Sequence, residues 1–174
     1  MREKKYALYG FWGEYGHENN HNVIREHNDL IHAIPVLEIK KNEAYPVFTN
    51  ASTDDKNPWE YPDTDAKAGQ VNGFFRFENI CDTEDTFEMK LWLLTPDEWE
   101  TRVTLPESSV CDLLIRRAQN FKLAGGEAFL WSLGDDNGTA TADTEGHPEI
   151  SGITVRSKAQ VLKLKKKQLK RLSL

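Results

Sequence analysis

Residues 17 to 21 read His-Glu-Asn-Asn-His, the H-E-x-x-H pattern of zinc peptidases, and His27 extends it to the spacing of the three-histidine version. In that chemistry two imidazoles one helical turn apart hold the metal, and the intervening glutamate activates a metal-bound water. His17, His21 and His27 are therefore candidate zinc ligands, with Glu18 as the candidate base. The surroundings argue for a different role. Both x positions are asparagine, a poor helix former, and Gly13 and Gly16 lie just upstream. The eighth position of the longer motif needs a glycine to turn the chain back toward the metal, and here it is Ile24. The only methionines are Met1 and Met89, so the later methionine turn of that class is missing. The competing reading has Asn20 or Asn22 capping the helix that follows, with the histidines as ordinary polar residues on its first turns.

The elements that would position these groups follow from pattern. KKYALYGFW (4 to 12) reads as a strand that ends at the glycines of WGEYG. Val23, Ile24, Leu30, Ile31 and Ile34 fall at helical spacing and Pro35 sets the end, which predicts one amphipathic helix. Residues 42 to 72, with Pro46, Pro58, Pro62 and many Asp and Asn, predict a long structured loop. Trp12, Tyr15, Trp59 and Tyr61 flank these polar segments. Rings beside amides and carboxylates can stack on and bond sugar rings, so the four are candidate substrate-binding residues; alternatively they plug the join between helix and sheets.

Beyond Gln70 the pattern changes to short strands divided by turn residues. VNGFFRFENI, TFEMKLWLLT, ETRVTLP, SVCDLLIRR, GEAFLWSLG, GTATADTEG and ITVRSKAQVLKLK are each predicted as one strand, with breaks at AGG (124 to 126), DDNG (135 to 138) and TEG (144 to 146). Phe87, Met89, Leu91 and Leu93 alternate with Glu88, Lys90 and Trp92. The fold class expected is mainly β, an antiparallel β-sandwich of immunoglobulin-like kind preceded by an N-terminal strand and one α-helix. The organisation expected is a strand-loop-helix segment over 1–45, a linking loop over 46–69, the sandwich over 70–168 and a basic tail over 169–174. Trp92, Trp99 and Trp131 are expected in packing roles. Leu162 and Leu164 are expected to complete an edge strand whose lysines keep it soluble; alternatively, KLKKKQLKRL meets phosphate or an acidic partner. DTDAKAGQ (63 to 70) lacks the spaced acids of a calcium loop and reads as solvated turn.

Composition bounds the function. The chain has 174 residues, 39% apolar and 29% charged with 18 aromatics, a globular composition too short for two catalytic domains. No apolar run approaches the ~20 residues of a membrane span, and MREKKYALYG has no apolar core of a secretion signal. No membrane partner is expected. Net charge is −6, but residues 1 to 155 hold 14 basic against 28 acidic residues, and the eight basic residues from Arg156 onward meet no acid. A body at −14 argues against a broad nucleic-acid surface. Cys81 and Cys111 are too few and too far apart for a disulfide framework or a C-x-x-C site, and read as two separate or loosely paired core thiols.

KNEAYPVFTNAS (41 to 52), GQVNGFFRFENICDT (69 to 83) and LPESSVCDLLIRRAQNFKLAGGEAFLWSL (105 to 133), with their RRxQxFK and GExFxW phrases, resemble the C-terminal region of a group of bacterial α/β-hydrolases similar to the PhoPQ-activated pathogenicity-related proteins. The resemblance covers residues 5 to 165. It implies that KKYALYGFWGEYGH is the last strand of a hydrolase sheet, that His17 is the triad histidine, and that the location is periplasmic or extracellular. The family's G-x-S-x-G nucleophile elbow is missing from this chain, so His17 has no serine here to activate. The function expected is thus a non-catalytic accessory sandwich of an esterase-like hydrolase, contacting its catalytic domain or a carbohydrate substrate and needing no cofactor. Two other classes stay open: a zinc metallopeptidase-like protein, and a small acidic inhibitor or immunity-type protein whose body meets a basic partner.

Overall fold

The computed structural model describes residues 39–53, 74–98 and 104–167. Eight strands are present in them: β1 (Tyr45–Thr49), β2 (Phe75–Asp82), β3 (Thr86–Leu93), β4 (Ser108–Arg116), β5 (Ala128–Leu133), β6 (Asp136–Thr141), β7 (Glu149–Arg156) and β8 (Gln160–Lys166). They form two antiparallel sheets, one of three strands in the order β1-β4-β7 and one of five in the order β2-β3-β8-β5-β6. The chain is a β-sandwich. It shares the two-sheet architecture of immunoglobulin-like domains and has its own strand order. The N-terminal strand and helix expected over 4 to 37 lie outside the described residues.

Period-two alternation builds the core. Phe87, Met89, Leu91 and Leu93 of β3 point inward with Leu162 and Leu164 of β8, Phe129 and Leu133 of β5 and Phe75 of β2. Phe48, Cys111, Leu113, Ile115, Ile150, Ile153 and Val155 face them from the smaller sheet. On one side the sandwich is closed by rings: Phe48 stacks on Phe75 at 4.2 Å, and Tyr45 meets Phe77 edge-on at 5.5 Å.

Four expectations are corrected. Tyr45–Thr49, placed in a loop because of its proline, is an edge strand; Pro46 is tolerated there because the edge needs no further N–H donor. ITVRSKAQVLKLK is two strands in different sheets. Its inward residues are Ile153 and Val155, then Leu162 and Leu164, so the parity changes and one continuous strand cannot bury both pairs on one face. β8 is not an edge strand; it lies at the centre of the larger sheet, between β3 and β5, with Lys163 on the outer face 3.2 Å from Glu88. The turn of the β5–β6 hairpin is Gly134–Asp135, where Gly134 supplies a φ of 59°, and Asp136–Gly138 belong to the strand. Cys111 is a core thiol, whereas Cys81 is exposed, and both are free.

The β4–β7 ladder contains a bulge with Gly152 at φ 68°, opposite Asp112. Asp112 closes it: one carboxylate oxygen accepts from the Gly152 N–H at 2.9 Å, the other from Asn50 Nδ2 at 2.7 Å. The Asn50 bond, then the Gly152 bond, hold the Asp112 carboxyl below the usual carboxylate range, against a smaller opposing effect of burial. A depressed folded-state pKa stabilises above the unfolded value, and the contribution is lost as pH falls through the folded one. Asp112→Asn is therefore expected to cost about 1 kcal/mol at neutral pH, a modest sum because the group is solvent-screened. Urea midpoints of the two proteins should converge as pH drops below about 3.9.

Candidate functional site

Opposite the ring-closed side, a cleft lies between β6 and β7, which among the described residues are the edges of the larger and the smaller sheet. The inward positions of β6 are Gly138 and Ala140, too small to span the gap. Trp131 of β5 reaches across instead. Its indole lies against Gly138, where an added Cβ would sit 3.0 Å from Nε1. The ring is half-buried and lines a shallow cleft of about 470 Å³ with Asp135, Asp136, Asn137, Gly152, Ile153 and Thr154.

Two local devices shape this cleft. The tight Gly134–Asp135 turn brings two consecutive carboxylates and Asn137 to one end, and Asn137 Nδ2 donates to the Asp135 carbonyl at 3.3 Å. The Gly152 bulge bends β7 so that Gly152, Ile153 and Thr154 form the facing wall. Among the described residues that line it there is no lysine or arginine. Carboxylates, an amide, a hydroxyl and the border of an indole around an open groove can exchange hydrogen bonds with a polar ligand.

A second set of chemistry-bearing groups sits in the loop after β6. Asp143 Oδ1 accepts from the Glu145 and His147 N–H groups, both at 2.8 Å, and Oδ2 lies 3.0 Å from His147 Nδ1. Burial raises the Asp143 pKa, but the bonds from His147 and Glu145 outweigh it and leave the carboxyl below its ordinary value. These bonds fold the loop on itself, so the pair serves as a staple. Among the described residues no group of three or more His, Cys, Asp or Glu is placed to hold a metal.

Trp12, Tyr15, His17, His21, His27, Trp59 and Tyr61 all lie outside the described residues, as does Trp99. Trp92, expected to pack, is on the outer face, where Nε1 donates to Glu98 at 2.9 Å and Lys90 approaches the ring to 5.2 Å. Trp131 packs against the core, as expected, and also borders the cleft. The signal for its partial exposure is its partner strand: DNGTAT has no large apolar residue to cover the ring. Comparisons with family models, curated proteins and solved structures found no match for this chain.

Proposed function

We propose that this chain is the non-catalytic β-sandwich part of an esterase-like hydrolase and that it contacts carbohydrate through the cleft at Trp131. The observation that carries the reading is an open cleft between two sheet edges in which the half-buried Trp131 lies beside Asp135, Asp136, Asn137 and Thr154. Stacking supplies affinity for the apolar face of a sugar ring, and the amide, carboxylates and hydroxyl bond its hydroxyls. The resemblance to the hydrolase group supports the accessory role. In that role His17 acts only when a nucleophile comes from a hydrolase domain.

The test is titration of the chain with neutral oligosaccharides, followed by tryptophan fluorescence and calorimetry. Trp131→Ala is expected to weaken binding tenfold or more, about 1.4 kcal/mol, and Trp131→Tyr to retain most of it. Equal unfolding midpoints for the two variants would show that the loss is one of contact and not of fold. If Trp131→Ala left sugar binding unchanged, the cleft would be excluded as the binding site.

A further inference from the structure

The sequence holds two N-x-S/T triplets, the acceptor pattern for N-linked glycosylation: Asn50-Ala51-Ser52 and Asn137-Gly138-Thr139. Their settings in the fold differ. Asn50 Nδ2 donates to Asp112 at 2.7 Å, and Ser52 Oγ accepts the Val110 N–H at 3.1 Å. Both polar groups of the first triplet are thus engaged in tying the end of β1 to β4. Asn137 and Thr139 stand two residues apart on β6, on the outer face of the larger sheet, and both are exposed. The bond that the Asn137 amide donates, to the Asp135 carbonyl at 3.3 Å, is long and stays within its own hairpin. Asp135 also places a carboxylate two residues before the asparagine, which completes the longer D-x-N-x-T form that bacterial oligosaccharyltransferases accept; Asn50 has Phe48 in that place. Among the described residues β6 ends the larger sheet beside a two-residue turn, so the triplet can lift into a transferase at the cost of one hairpin's pairing.

We propose that Asn137 is an acceptor site for N-linked glycosylation and that Asn50 is not. In the transfer, Asn137 Nδ2 forms a bond to C1 of the first sugar of a polyprenyl-diphosphate-linked oligosaccharide. The bond from C1 to the phosphate oxygen breaks, the polyprenyl diphosphate leaves with the electron pair, and Nδ2 gives up one proton to a base of the transferase. The product has a use in this fold. β6 reads DNGTAT, with no lysine, proline or bulge to keep its edge from pairing with another chain. A bulky, hydrated glycan beside that edge blocks such pairing. The inference does not rest on the reading of the cleft as a sugar site, since it needs only the triplet and its exposure.

The folded full chain is incubated with a purified bacterial oligosaccharyltransferase and its lipid-linked oligosaccharide, and a synthetic peptide spanning 133 to 141 is treated in parallel. Intact mass and peptide mapping are expected to place a glycan on Asn137 and none on Asn50. Asn137→Gln and Thr139→Ala should each abolish the gain in mass, Asp135→Asn should remove most of it, and Asn50→Gln should leave it unchanged. Circular dichroism checks that each variant is folded. A modified peptide beside an unmodified folded chain would overturn the proposal, because the strand would then shield the triplet. An unmodified peptide would overturn it too, as would a glycan on Asn50 to the same extent as on Asn137.

Discussion

Phe87→Ala is expected to lower the unfolding free energy by about 3–5 kcal/mol, roughly 10 °C in Tm for a chain of this size. Phe87 is fully buried on β3, next to Leu164 of β8 and Asp82 of β2 in the ladder. Its ring lies 6.5 Å from that of Phe121, which belongs to the crossover from β4 to β5. That crossover cannot slide in to fill a cavity. Asp82 pins it by accepting the backbone N–H groups of Gln119, Asn120 and Phe121, the last at 2.7 Å, while its own carbonyl takes Asn120 Nδ2 at 2.8 Å. A hole left by the phenyl ring stays open, which places the cost toward the upper part of the range. Thermal and urea unfolding followed by circular dichroism measure it. Val161→Ala on the exposed outer face is the control, expected within about 0.5 kcal/mol of the parent. Comparable losses in the two variants would remove Phe87 from the centre of the core.

The same residues show how much of the fold was legible in the sequence. β3 was legible in full, because its inward and outward residues alternate without interruption and both faces are used as the pattern requires. The break between β7 and β8 was legible in principle, through the parity change between Val155 and Leu162, but Ser157-Lys158-Ala159 carries no glycine or proline to mark a turn. β1 was hidden by Pro46, whose penalty vanishes only at a sheet edge, and edge position is a property of the pairing and not of the strand. The centrality of β8 was hidden by its lysines. They suggest an edge, yet on a sheet with one face in water they simply occupy the outer positions, and Lys163 meets Glu88 there.

The RRxQxFK and GExFxW phrases can be read in the same terms, and most of their letters are folding devices. In the first, Arg117 takes a φ of 57°, Gln119 caps the Arg117 carbonyl, Lys122 reaches the Ala118 carbonyl, and Phe121 enters the core. In the second, Glu127 accepts the Ala124 N–H at 2.8 Å and Phe129 is fully buried. Trp131 packs against the core as well and also borders the cleft. Its place beside Gly138 depends on a residue seven positions further on, so the cleft emerges only with the pairing of β5 and β6.

Gly146→Ala and Gly152→Ala form the second large prediction, because they separate two costs that usually come together. Both glycines have left-handed backbone, at φ 84° and 68°, so any side chain at either position is strained by about 1 kcal/mol. A Cβ at Gly152 would meet nothing within 4 Å. One at Gly146 would overlap the Leu123 carbonyl oxygen, a backbone atom that cannot rotate away. Moving it means moving the 123–126 segment, where Gly126 N–H already donates to the Ala142 carbonyl at 3.2 Å and Glu127 N–H to the Ala124 carbonyl at 3.0 Å. Strain plus displacement is expected to cost Gly146→Ala about 3 kcal/mol, against about 1 kcal/mol for Gly152→Ala. Urea midpoints at constant slope measure the difference. Two equal losses near 1 kcal/mol would mean that the loop after β6 gives way freely, and the Asp143–His147 staple would then not be what holds it against the crossover.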